Sequence, residues 1–554
     1  MPLHHLKGGE KMAEYVVPNT TIYIIKDCPC EPDYKNTMYF ANKADQFATF
    51  SKWIKYTLNA QSYQRYGAGR IQVELPVENL YDCNYLIFQN TNFKDSAGNV
   101  KKFYAFITDV EYVNNNTSTI TYEIDVIQTW LGDYEIRDVF VEREHPLTDN
   151  IGENLVPEPI SFDEYTISHY DEVSYTFSGA TVPTKLSSLW MMAWWADGTS
   201  PHVVSGLPTM LWAYAQPFTE QGLNTFRSYL SGAGVDANSI VAFGLVPELF
   251  AQIGQVLPDT LSTVKNYRIQ FLRHYNEAFE SATGGVRKSY TPQCKKLYTS
   301  PYWALWVTNN TGNTKLYPME LFTPGVSSND LYFQLIGDYS PNPTVMLVPE
   351  NFKTIQGVNY AESMTLSGYP QCGTTSDTYK AWLAQQGGAN AVQFIGGALM
   401  ALMSAVSQNY VGAVAGATQA VGAAARRWDA STMVDSGTPG GNNNLLAAAH
   451  LMTFHYGIRH LTAEAAERVD MYFRKYGYAT NTVKKPNIGT RPFYNYVKTN
   501  GCSIDGSIPA SAEKRICEVY DRGITFWKSA EHFGDYSVDN SPGATNPEHS
   551  EVVS

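Results

Sequence analysis

The sequence predicts a mainly β, multidomain subunit with a few helices and one long hydrophobic Gly/Ala-rich loop or helical hairpin. Three observations predict it. Short runs alternate apolar and polar residues with a period of two and are separated by Asn-, Gly- and Pro-rich turns, the signature of half-buried strands. Only 17% of the 554 residues are charged and 13% are aromatic, so Tyr, Asn, Thr and Ser carry much of the surface polarity, as in large β-rich particle or extracellular proteins. Finally, the segment from Ala381 to Ala425, between Lys380 and Arg426, holds no charge at all.

The elements follow in order. Residues 1–11 (MPLHHLKGGEK) are polar, lack the apolar core of a signal peptide, and read as a tag-like or alternative-start leader ahead of Met12. A first β-rich domain is expected over 12–150, with strands in 14–25 and 71–88. Its clearest signal is 101–130, two strands around Asn114-Asn115-Asn116-Thr117. Tyr104, Phe106 and Thr108 share one face, and Phe103, Ala105 and Ile107 the other, which predicts a sheet covered on both sides. Ile120, Tyr122, Ile124 and Val126 lie on one side of the second strand. Residues 146–160 are rich in Pro, Gly and Asn and read as a linker or extended crossing.

Further β-rich domains are expected over 151–370. They hold a hairpin in 165–178, a buried strand at Leu189–Trp195, a helix near 217–230, a strand at Ser239–Pro247 and alternation over 266–280. Strands over 295–350 are punctuated by Asn309-Asn310-Thr311-Gly312. A long loop occupies 371–443, and a C-terminal domain, 444–540, opens with a long helix at 444–476. The polar tail, 541–554, reads as disordered.

The uncharged segment divides into helix-length halves, 391–406 and 411–425, around Ser407-Gln408-Asn409-Tyr410. Sixteen residues at ~1.5 Å each make roughly 24 Å, short of the ~30 Å hydrocarbon core. Gly396, Gly397, Gly412, Gly416 and Gly422 each cost a helix about 1 kcal/mol relative to Ala, yet permit close backbone approach. Three readings stand: a buried helical hairpin, a transmembrane hairpin, or a segment hidden in one state and membrane-inserted in another. The candidate membrane-facing or channel-plugging side chains are Trp382, Leu383, Val392, Phe394, Ile395, Leu399, Met400, Leu402, Met403, Val406, Tyr410, Val411, Val414 and Val421. Gly387, Gly388, Gly437, Gly440 and Gly441 are candidate hinges.

Signs of catalysis are missing. No G-x-S-x-G, P-loop, G-x-G-x-x-G, H-E-x-x-H or EF-hand pattern occurs. His450, His455 and His460, if helical, would each turn about 140° from the last and could not share a face. Carboxylates such as Asp125, Asp163–Glu164 and Asp171–Glu172 have no evident partner across a cleft. The seven cysteines include no C-x-x-C, which predicts buried free thiols rather than a zinc site or disulfide framework. No catalytic residue, cofactor or metal is expected. The net charge of −13 argues against a nucleic-acid-gripping surface, but not against one that lets DNA pass.

The chain resembles the distal tail tube, or tail knob, proteins of short-tailed bacteriophages of Gram-positive hosts, the phi29-like and picovirus group. The resemblance rests on ordered stretches: Cys83–Leu86, Phe103–Thr108, Tyr112–Asn114, Tyr122–Val126 with Gln128–Trp130, Phe140–His145 and Asn150–Leu155. It continues through Lys295–Tyr298, Pro301–Tyr302, Asp377, Ala381–Leu383, Thr490–Pro492, Gly523–Trp527 and Gly534–Tyr536. It implies a β-rich, tube-forming subunit of a homohexameric DNA conduit at the distal end of the virion tail, seated on proximal tail or lower collar proteins. It also implies that long hydrophobic loops plug the channel, leave it on ejection, and enter the host membrane. Such a protein would be assembled in the host cytoplasm and released by lysis. A stand-alone pore-forming toxin and a cell-wall-degrading tail-tip enzyme are the alternatives.

Overall fold

The computed structural model describes residues 19–373 and 446–546, except 63, 65–68, 95–97, 161–163, 197–202, 205–206, 209–210, 233–239, 252–256, 259–263, 284–285, 324–329, 341–342 and 448. Strands dominate the described residues, with few helices, and the chain divides into two compact units.

The first unit comprises Met1–Ser161, Pro292–Lys296 and Glu467–Ser554. Its larger sheet is antiparallel, in the order Ile54–Gln61, Thr20–Lys26, Cys83–Lys94, Val100–Asn114, Thr117–Ile124, Arg70–Val73. The alternation expected over 101–130 sets its register. Tyr85 lies opposite Phe106, Ile87 opposite Tyr104, and Asn114 opposite Thr117, so the turn is Asn115–Asn116. One face packs Tyr85 and Tyr104 on Phe50 of the helix Lys43–Ser51; the other stacks Phe88 on Phe103 at 5.0 Å. Both faces are therefore covered, which is why this sequence is apolar on both. Val126 does not extend the strand. It opens the short helix Val126–Thr129, because Asp125 accepts from Gln128 N and caps it.

A second sheet joins the two ends of the chain, in the order Asn36–Met38, Ile524–Trp527, Tyr494–Asn500, Val139–Glu144, Tyr478–Lys484. The helix Ala510–Arg522 buries Ala512, Ile516, Val519 and Tyr520, spaced four, three and one apart on one stripe, and stops at Gly523 with φ 94°.

The second unit comprises Phe162–Thr291 and Leu297–Ala466. One antiparallel sheet runs Tyr165–Glu172, His455–Leu461, Trp303–Thr308, Thr314–Tyr317. Another runs Leu257–Pro258, Leu211–Pro217, Leu189–Ala196, Ile240–Pro247, Gln371–Gly373. A third runs Lys265–Leu272, Asp330–Gly337, Val345–Pro349, Met364–Leu366.

Four further expectations need correction. The helix read as continuous over 444–476 is interrupted: Leu446 and Ala447 are helical, but the long helix is confined to Ala463–Tyr476, because His455–Leu461 is a strand bonded on both sides. The long-range ladder overrides local helical preference there. The hairpin read over 165–178 does not form: Tyr165–Glu172 pairs with His455–Leu461, and Ser174–Tyr175 with Thr184–Lys185. Residues 444–540, read as one domain, are divided between the units at residues 466 and 467. The tail read as disordered is anchored at its one buried described residue, Asn546, which donates to Pro492 O at 3.0 Å. Just before the tail, Asn540 bridges Phe493 N, Tyr494 N and Tyr494 O. A polar, Pro-containing segment looks unstructured when its partners are other backbones.

Candidate functional site

The residues expected to face a membrane or channel, Trp382 through Val421, and the hinge glycines 387, 388, 437, 440 and 441 lie outside the described residues. The base from which that segment departs is described, and both of its ends belong to the second unit.

On the outgoing side, buried Tyr369 precedes Gln371–Gly373, the outer strand of its sheet, which pairs with Ala242–Gly244. Leu245 N donates to Pro370 O at 2.9 Å and holds the approach. On the return side, Ala447 is buried, His450 takes φ 54°, and Leu451 N closes back to Leu446 O at 2.8 Å. Met452 and Phe454 are fully buried. The chain then enters His455–Leu461, an inner strand of its sheet.

One turn links the two sides. Asn309 donates from Nδ2 to Thr365 O at 2.9 Å, in the strand before the exit. Its Oδ1 accepts from Thr311 N and Asn313 N, an Asx turn that fixes the loop. Asn310 Nδ2 lies 2.9 Å from Leu451 O, 3.2 Å from Thr453 O and 2.8 Å from His455 Nδ1, all after the return. Its two protons are shared among three acceptors. Asn310 has φ 58°, a conformation Asn tolerates better than most residues. Asn309 and Asn310 thus clasp the outgoing and returning chains. The sequence marked them only as a turn; the Asn-Asn-Thr-Gly run was the available signal, and its partners were not.

The titratable residues have structural explanations. Asp125 is wholly buried, caps a helix and accepts from Tyr85 Oη at 2.9 Å; burial pushes its carboxyl up to about 6. Glu164 accepts from Thr462, Asp171 from Glu172 N, and Glu172 from Ser187 N. Asp163 is outside the described residues. His455 and His460 lie on a strand, not a helix, and an interval of five puts them on opposite faces. His455 stacks on Tyr170 and His460 on Trp303, each at 4.9 Å, and burial lowers both imidazoles. Cys28, Cys30, Cys83 and Cys294 are buried free thiols, and Cys502 and Cys517 are partly buried free thiols.

Two clusters escaped the sequence reading. In the first unit, the crossing 146–160 is fastened by Glu158, which is 1% exposed and accepts from Arg143 and Lys296, each at 2.5 Å, and from Ala479 N at 2.9 Å. In the second, His169, His274 and Glu277 converge from distant positions. Neither resembles a catalytic cleft: the first is a closed ionic lock, and the second lies on the surface.

Among the described residues no helix is long and apolar enough to cross a membrane. Residues 263–541 match the family model of the Bacillus phage phi29 tail knob protein gp9, C-terminal domain, and residues 18–135 match the caudoviral major tail protein N-terminus. The chain is 26% identical to the tail knob protein gp9 of Bacillus phage phi29, over 96% of this chain and all of that protein. It is 27% identical to the counterpart in Bacillus phage PZA, with the same coverage. The structure of the bacteriophage C1 tail knob protein, gp12, matches with TM-score 0.54 at 12% identity, covering 92% of this chain and 97% of that one.

Proposed function

Since the chain belongs to the family of the phage phi29 tail knob protein gp9, a structural component of the distal virion tail and not an enzyme, we propose that it forms a DNA-ejection conduit. In this reading the subunit assembles as a homohexamer, seated on proximal tail or lower collar proteins. Its uncharged segment, 381–425, plugs the channel until a trigger releases it into the host membrane.

The observation that carries this reading is a contrast at one place. A charge-free segment is inserted between two chain ends that are tied to one another through Asn309 and Asn310. A fixed base allows the insertion to change place while the sheets that carry it stay as they are. Six Gly-rich segments around one axis can pack more closely than Leu-rich ones, and the net charge of −13 suits DNA that must slide through rather than bind. Family membership disfavours the toxin and wall-enzyme alternatives.

The test places two aspartates in the segment, Ile395→Asp with Leu399→Asp. A charge at the bilayer centre costs about 2.5–3.5 kcal/mol on insertion scales, so dye release from anionic liposomes should fall more than tenfold while assembly persists. Unimpaired leakage refutes insertion by this segment. Loss of assembly instead assigns the segment to a static core.

A further inference from the structure

We propose that His169, His274 and Glu277 form a binding site for a divalent transition-metal cation of the zinc class. Glu277 stands between the two imidazoles, with Oε2 2.6 Å from His169 Nε2 and Oε1 2.8 Å from His274 Nδ1. The three donor atoms all lie within 4.8 Å of one another. Bonds of about 2.0–2.1 Å in a tetrahedron require donors about 3.4 Å apart, so the ion enters when the two stacked imidazoles turn apart and the carboxylate swings aside. Two imidazoles and one carboxylate are a ligand set for zinc with one position left open; calcium and magnesium prefer all-oxygen sites.

The convergence is built rather than incidental. His169 is more than 100 residues from its partner and is aimed by an irregular backbone. Its φ is 50°, and it sits where the register of its strand shifts between Ser168 and Asp171. Bulges of this kind re-aim a side chain, and a non-glycine residue held in the left-handed region costs about 1 kcal/mol or more. The opposing turn is equally constrained. Asn276 takes φ 61°, and the carbonyls of His274 and Glu277 accept from Trp303 Nε1 at 2.6 Å and Tyr298 Oη at 2.8 Å. Trp303 and Tyr298 are themselves buried, so the turn is pinned to the core of the second unit.

The rings of His169 and His274 lie face to face at 3.7 Å and 14°, so ion binding turns them out of this stack until both nitrogens point at one centre. Side-chain exposures of 38%, 25% and 40% leave the group reachable from solvent, so water or a donor from another molecule can fill the open position. A bound cation would staple the strand Tyr165–Glu172 to the 274–277 turn.

The test is zinc titration of the chelator-treated full-length protein by calorimetry at near-neutral pH, with visible absorption of the cobalt(II) form as a second readout. The variants are His169→Asn, which tolerates the left-handed backbone, and Glu277→Gln, which keeps the shape; His4→Ala/His5→Ala controls for the N-terminal pair. The expected result is one zinc per chain with tetrahedral cobalt bands. Affinity should fall by more than about tenfold in each site variant, as even outer-shell losses cost 10–100-fold, and be unchanged in the control. Absence of saturable binding by the unaltered chain, or binding that both site variants leave intact, overturns the proposal.

Discussion

Acid should unlock the first unit through His145. This imidazole is buried, and its two nitrogens are already committed: Nδ1 accepts from Tyr496 N at 2.7 Å, so Nε2 carries the proton and donates to Arg474 O at 2.9 Å. A second proton has nowhere to go without breaking the Tyr496 bond. Burial, then the Arg491 and Arg143 guanidiniums, depress the imidazole from 6.5 to about 3. Because the unfolded chain binds this proton and the folded one refuses it, stability is present above pH 6.5 and is lost as pH falls toward 3. A fall from 6.5 to about 3 corresponds to at most about 5 kcal/mol, with a slope of up to about 1.4 kcal/mol per pH unit. Other groups also titrate, so the assay compares the chain with His145→Asn, whose Oδ1 can still accept from Tyr496 N. Urea unfolding of both, followed by a first-unit probe between pH 7 and 4, should show the original chain's advantage shrinking by about 2–3 kcal/mol. An advantage independent of pH would refute the assignment.

Asp125 should act with the opposite sign. Its folded value near 6 exceeds the unfolded one, so stability is lost as pH rises from about 4 to 6, by roughly 3 kcal/mol at most; Asp125→Asn should flatten that slope in the same titration. Glu158→Gln should cost about 3–5 kcal/mol in urea unfolding, since it leaves Arg143 and Lys296 buried without their countercharge. Asn310→Gly keeps the left-handed backbone but removes the clasp; unfolding of the second unit should lose about 1–3 kcal/mol, and proteolysis within 374–445 should accelerate. Gly477→Ala should prevent the first unit from folding, as shown by loss of cooperative unfolding: φ is 63° and an added Cβ would stand 2.1 Å from Glu144 O.

What could be read in the sequence, and what could not, follows the range of the interactions involved. Two-residue alternation marked Phe103–Phe106 and Ile120–Ile124 correctly, because a strand covered on both faces writes its burial into its own side chains. His455–Leu461 misled for the converse reason. Its local pattern runs into the genuine helix Ala463–Tyr476, and only its two partners, Tyr165–Glu172 and Trp303–Thr308, make it a strand. The clasp at Asn309 and Asn310 was visible as a turn but not as a clasp, since its acceptors include the carbonyls of Thr365, Leu451 and Thr453, which carry no signature in residue type. Glu158 likewise read as part of a linker, although Lys296, 138 residues away, makes it a lock. The uncharged segment stood out from composition alone. Its chemistry is visible one residue at a time, whereas its base depends on contacts from distant parts of the chain.

The most direct test of the central claim is dye release from anionic liposomes by the full-length chain and by a chain lacking residues 387–440, each at neutral pH and near pH 5. Both cut points fall between the described ends of the insertion, so the clasp and its sheets are retained. The account predicts release by the intact chain, and none by the shortened chain although it still assembles. Equal release by both chains, or none by the intact chain at either pH, would contradict a membrane role for the insertion.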